Sequence, residues 1–145
     1  MTSLPTAALF DIGNVLMHLD FESSLARLVP PGVEDCKERI YSLLEKKDEL
    51  EAGAIAENDF IAWASGQLGF TGTTEAFLEA WNSIFEPIHA MWGIAAFLKS
   101  QRLKIILFSN TNSMHARWLL ENYDVFEDFD GRVFSHEVGA LKPDP

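Results

Sequence analysis

The chain has 145 residues, 48% hydrophobic and 23% charged, a length that suits one ordinary domain with its own core and is short for two. Twenty-two acids against eleven Lys and Arg give a formal charge of −11, which counts against nucleic-acid backbone binding, because neutralising phosphates takes a surplus of basic side chains on one face. No apolar run approaches the roughly 20 residues that cross a bilayer, and Met1-Thr2-Ser3-Leu4-Pro5 has neither the basic start nor the long apolar core of a leader. With Cys36 unable to form an internal disulfide, the expectation is a cytoplasmic protein with no membrane partner.

Ala7-Ala8-Leu9-Phe10 is a short continuous apolar run of the kind shown by strands buried on both faces, and Asp11-Ile12-Gly13-Asn14 follows it. Open parallel sheets bind ligands beyond the carboxyl ends of their strands, where a glycine lets backbone approach an anion or metal. Asp11 is therefore a candidate nucleophile, with a turn cap as the plainer alternative.

From Phe21 to Pro87 the pattern predicts almost unbroken helix. One helix runs over Phe21 to Val29 and stops at Pro30-Pro31-Gly32. A second is expected from Glu34 to Glu51, ending at Gly53, with the charge run Glu45 to Glu49 as its solvated face. A third starts at Glu57 or Asn58 and reaches Leu68. A fourth, capped by Thr73 or Thr74, carries Phe77, Leu78, Trp81, Ile84 and Phe85 on its buried side. A helical block this long between two strands reads as a cap, since one crossover helix needs far fewer residues.

The α/β rhythm resumes at Ile88, with a helix to Ser100 and a strand over Lys104 to Phe108 that ends in Ser109-Asn110-Thr111-Asn112. A helix through Met114 to Leu120, a third strand over Arg132 to Ser135 and the loop Gly139 to Pro143 follow. The expected division is an α/β core over residues 1–18 and 88–145, and a helical cap over 19–87.

Asp11 after the first strand, Ser109 after the next and Lys142 before a proline resemble, in that order, the haloacid dehalogenase-like (HAD) hydrolase superfamily, most of whose members are phosphatases. Glu51-Ala52-Gly53-Ala54-Ile55 with Asp59-Phe60, and Ala80 to Phe85, are similar to the small helical cap of its glucose-1-phosphate phosphatase-like branch. The wording Asp11 to Val15 and Ser109 to Asn112 is similar to that branch as well. The resemblance implies an α/β fold with a Rossmann-like parallel sheet, incomplete at its C-terminus, and an inserted small helical cap. It also implies a Mg²⁺-dependent phosphatase acting on a small phosphorylated metabolite such as a sugar phosphate, through an aspartyl-phosphate. Asp11 would be nucleophile and metal ligand, and the Gly13 carbonyl a second ligand. Ser109 and the Asn110 backbone N–H would hold a phosphoryl oxygen, and Lys142 would offset charge on the phosphate and Asp11. Read singly, Ser109 would cap the helix near Ser113 and Lys142 would be a surface lysine.

Gly13 stands where the commoner phosphatase pattern has a second Asp that protonates the leaving alcohol. Loss of a general acid costs a factor of about 10² to 10⁴ and matters least for a good leaving group, which suits anomeric sugar phosphates or acyl phosphates. A halide needs no proton, so carbon–halogen cleavage is the rival within the superfamily. His18, His89, His115 and His136 have no metal-ligand spacing and read as structural or exposed. Trp63, Trp81 and Phe85 are core candidates that would also exclude water beneath a cap.

Members of the superfamily continue past the Lys-Pro motif to an acidic pair that completes the metal site, whereas this chain stops at Asp144-Pro145. The expectation is therefore a piece of a longer protein, with an open sheet edge covered by a homo-oligomeric neighbour. The reading from a different class is a non-catalytic phosphate-binding or interaction module that keeps Ser109, Asn110 and Lys142 without turnover.

Overall fold

Strand β1 (Ala7–Phe10) leads into a tight coil and a three-residue strand β2 (Met17–Leu19). Helices α1 (Phe21–Ala26), α2 (Cys36–Ser42), α3 (Lys47–Glu51), α4 (Glu57–Leu68) and α5 (Thr74–Asn82) follow, with a 3-10 turn (Leu43–Lys46) between α2 and α3. Strand β3 (Phe85–Pro87) returns the chain to α6 (His89–Ser100), β4 (Lys104–Ser109), α7 (Ser113–Asn122), β5 (Gly131–Phe134) and the single turn α8 (Ser135–Val138). This is a computed structural model that describes residues 3–145. Met1 and Thr2, which open the stretch read for a leader, lie outside the described residues.

The apolar runs form one parallel sheet in the order β1-β4-β5, with Phe10 opposite Leu107 and Phe108 opposite Val133. Side chains alternate across it. Phe10, Ile105, Leu107 and Phe134 are buried in a cluster that includes Ala95 of α6 and Leu119 of α7. The opposite face carries Leu9, 63% exposed, and Val133, 38% exposed. This is an α/β fold with a Rossmann-like parallel sheet.

Two parts of the expected helical run differ. Phe85–Pro87 is strand, paired antiparallel with Met17–Leu19, so Ile84 and Phe85 do not continue α5. Pro87 has no N–H to donate and sits at the end of its strand, where none is needed. The expected helix over Glu34 to Glu51 is divided into α2, the 3-10 turn and α3. At the division the Ser42 hydroxyl donates to the Arg39 carbonyl at 2.7 Å, a local bond that competes with the helical ladder. Ser135, expected in the third strand, instead opens α8.

The helices between β2 and β3 have their own cluster, with Leu25, Phe60, Leu68 and Phe77 essentially inaccessible. Each such side chain stabilises the fold by about 1.5–3 kcal/mol relative to exposure. Helix α7 belongs to both clusters: Met114 packs with the helices, Ala116 and Leu119 with the sheet. Arg117 of α7 clasps Glu57 of α4 through two bonds of 3.0 and 3.1 Å. That clasp, led by the Arg117 bonds, holds the Glu57 carboxyl below its usual range and raises the guanidinium.

Candidate active site

β1 and β4 are parallel neighbours in register, so the residues that follow them emerge at the same edge of the sheet. Asp11 emerges there from β1. Its Oδ1 accepts the Ile12 N–H at 2.7 Å, and the coil beyond winds around the Ile12 carbonyl, which accepts from Val15, Leu16 and Met17. Asn14 turns this coil with φ +57°, a conformation that Asn tolerates better than most residues. The Trp92 indole donates to the Leu16 carbonyl at 2.9 Å and ties the coil to α6.

Lys142 reaches the same point from the far end of the chain. Its Nζ donates to Asp11 Oδ2 at 2.9 Å and to the Phe108 carbonyl at 2.8 Å, and lies 4.9 Å from the centre of the Phe108 ring. The loop that carries it is held by Asn110: the side-chain amide donates to the Lys142 carbonyl, and its oxygen accepts the Lys142 N–H. Ser109 is buried and its hydroxyl donates to the Asn110 carbonyl at 3.3 Å. Ser135 braces the next residue, accepting from the Thr111 N–H and donating to the Thr111 carbonyl. Asp11, Ser109, Asn110 and Lys142 are thus gathered at one sheet edge.

Ser109 does not cap α7. Asn112 does, accepting the His115 N–H at 3.0 Å. The Asn112 amide donates to His115 Nδ1, so Nε2 carries the proton and donates to the Trp81 carbonyl at 2.9 Å. Burial pushes the imidazole down to about 4, against the pull of that carbonyl. It is a neutral structural group stacked on Trp81.

A cavity of ≈ 270 Å³ separates the sheet edge from the helices. Gly13, Ser109 and Asn110 border it on one side; Phe60, Trp81 and Phe85 face it from the other. Trp63 is not among its walls and packs on Phe60 instead. A Cβ at Gly13 would lie 3.1 Å from Leu19 Cδ1, closer than ordinary van der Waals contact, so a side chain here would crowd Leu19. Among the described residues no three His, Cys, Asp or Glu side chains gather into a metal-binding cluster.

Sequence reasoning used Asn110 only for its backbone and missed its side-chain hold on Lys142. It also missed Ser135 and the Phe108 carbonyl. The run of hydrogen-bonding side chains from Ser109 to Asn112 was the available signal; Ser135 had none.

The architecture is shared with solved structures of known enzymes. A HAD family enzyme of Bacteroides thetaiotaomicron matches 97% of this chain and 73% of its own, with TM-score 0.81 and 23% identity. The chain has the HAD-like fold. The same enzyme in complex with magnesium and inorganic phosphate matches with TM-score 0.72 and 25% identity over the same shares. A predicted HAD-like family hydrolase of Porphyromonas gingivalis matches with TM-score 0.70 and 25% identity, over 98% of this chain and 72% of that one. The HAD-like fold extends to an L-2-haloacid dehalogenase of Xanthobacter autotrophicus, at TM-score 0.61 and 19% identity, over 97% of this chain and 60% of that one. No protein-family model matches the sequence. No helix among the described residues is long and apolar enough to cross a membrane.

Proposed function

We propose that the chain is a phosphohydrolase of small phosphomonoesters, with sugar phosphates as the class its sequence resemblance implies, and that the helical segment 19–87 caps a core of 1–18 and 88–145. The observation that carries this is the bond from Lys142 Nζ to Asp11 Oδ2 at 2.9 Å beside buried Ser109. An anchored carboxylate, an ammonium and a hydroxyl at neighbouring strand ends support a phosphoryl site there.

The Asp11 carboxylate attacks phosphorus, and the leaving oxygen departs with the electron pair of the broken P–O bond. Lys142 offsets the charge that collects on the phosphoryl oxygens, and the Ser109 hydroxyl donates to one of them. Water then releases phosphate and restores Asp11. The Ile12 N–H and Lys142 keep the carboxylate oriented throughout.

A Mg²⁺ ion suits the hard oxygen donors that the Asp11 carboxylate and the Gly13 carbonyl would supply here. This ion commonly takes one or two carboxylates and fills its shell with water and substrate oxygens. When bound it would reduce repulsion between carboxylate and phosphate.

Phosphate release from a panel of phosphomonoesters with Mg²⁺, comparing the chain with Asp11→Asn, tests the reading. Metal-dependent release should disappear in the variant. Equal release from both proteins would remove Asp11 from the mechanism, and release from neither would favour the phosphate-binding module. Halide release from a 2-haloacid would favour the dehalogenase rival.

A further inference from the structure

The cavity beside Gly13 has two features that a sugar phosphate does not use. First, its far walls are largely hydrocarbon: Phe21, Leu44, Phe60, Trp81 and Phe85 face the space, and Leu19 closes on Gly13. Second, the charged side chains at its edge already have partners. Lys47 pairs with Glu51 at 2.8 Å, and Glu22 meets Lys37 at 3.6 Å and the Tyr41 hydroxyl at 3.4 Å. His115 uses both ring nitrogens within the protein. A sugar ring laid against the hydrocarbon walls would lose water from its hydroxyls and find no partner on them, a cost that falls on every unmatched group.

Size admits one ring and the lining selects its kind. An apolar cavity of about 150 Å³ holds one benzene, so ≈ 270 Å³ accommodates one six-membered ring beside the strand ends. Ser109, Asn110, Thr111 and Asn112 give it polar borders at the strand end, and Glu22, Tyr41, Lys47 and Glu51 are its polar residues on the helical side.

Chemistry points the same way. With glycine at position 13 no side chain there protonates the departing oxygen. A phenol, with pKa near that of Tyr at about 10, leaves as its anion far more readily than an aliphatic alcohol. We propose that the substrate is an aryl phosphate, its ring in the apolar cavity and its phosphoryl group at Asp11; this rests on the phosphohydrolase reading above. The P–O(aryl) bond breaks as the Asp11 O–P bond forms, and the phenolate takes its proton from water. A second water cleaves the acyl-phosphate to give inorganic phosphate.

Binding and turnover test this separately. Calorimetry on Asp11→Asn with Mg²⁺ should show phenyl phosphate binding at least about tenfold more tightly than glucose 1-phosphate, the scale set by a few apolar contacts in a pocket. Leu44→Glu in the same background should erase most of that advantage and leave inorganic phosphate binding as it was. With the wild-type chain, kcat/KM for phenyl phosphate should exceed that for benzyl phosphate at least about 100-fold, because both rings fit and only the leaving oxygen differs. Glucose 1-phosphate binding as well as phenyl phosphate, or equal kcat/KM for the two aromatic esters, would overturn the proposal. Preferential aryl binding with no turnover of any ester would refute the phosphohydrolase reading, and the aryl-phosphate substrate with it, leaving only an aryl-selective cavity. Turnover with no aryl preference would overturn this inference and leave that reading intact.

Discussion

Acidifying the solution should destabilise this protein through His115. The unfolded imidazole takes up a proton below its ordinary value of 6.5, whereas the buried one resists until about 4. Between those values the unfolded chain binds the extra proton, so stability is fully present above about 6.5 and declines as the pH falls toward 4. At about 1.4 kcal/mol for each pH unit, the whole interval is worth about 3 kcal/mol, a large share of the 5–15 kcal/mol typical of a domain. Urea unfolding near pH 7 and near pH 4.5, on the wild-type chain and on His115→Gln, isolates this contribution. Glutamine can donate to the Trp81 carbonyl and accept from Asn112 without titrating. Glu57, whose carboxyl Arg117 holds low, loses its contribution as the pH falls below the ordinary carboxylate range, and does so in both proteins. The wild-type chain should lose about 2–3 kcal/mol more than the variant over this interval. Equal losses would refute the assignment of a neutral, buried imidazole.

Two further substitutions separate chemistry from stability. Lys142→Met should lower kcat about 10²- to 10³-fold, as expected for removal of a positioned charge in the transition state, yet shift the urea midpoint little, because its ion pair with Asp11 is partly exposed and worth at most about 1 kcal/mol. A large loss of stability with unchanged kcat would show that the lysine is a structural clasp. Gly53→Ala should destabilise by about 1–3 kcal/mol, since Gly53 has φ +70° and the new Cβ would meet the His136 carbonyl oxygen at 2.5 Å. Gly32→Ala, at φ +83° with open space around it, should cost less by thermal unfolding, and equal costs would refute the steric argument.

Strands β1 and β4 were legible because each is an uninterrupted apolar run ended by polar residues, and buried parallel strands require that pattern. Helices α4 and α5 were legible from their spacing and caps: Thr73 accepts the Ala76 N–H as its position suggested. Strands β2 and β3 were not, because three residues are too few to show a period and their pairing joins positions far apart in the chain. The gathering of Asp11, Ser109 and Lys142 was implied by their order relative to the strands. The hold of Asn110 on Lys142 is a side-chain geometry that residue order does not encode. The apolar character of the cavity was hidden for a related reason, since helical spacing marks Phe60, Trp81 and Phe85 as buried without distinguishing a packed core from the wall of a cavity.

The bond between Asp11 and Lys142 spans 131 positions, almost the whole chain. Closing a flexible loop of that length costs on the order of 4 kcal/mol in chain entropy, more than a half-exposed ion pair returns. The pair therefore cannot recruit its own ends; the sheet and the helices packed on it must bring them together first. Reactivity should be the last property the folding chain acquires and the first it loses on partial unfolding.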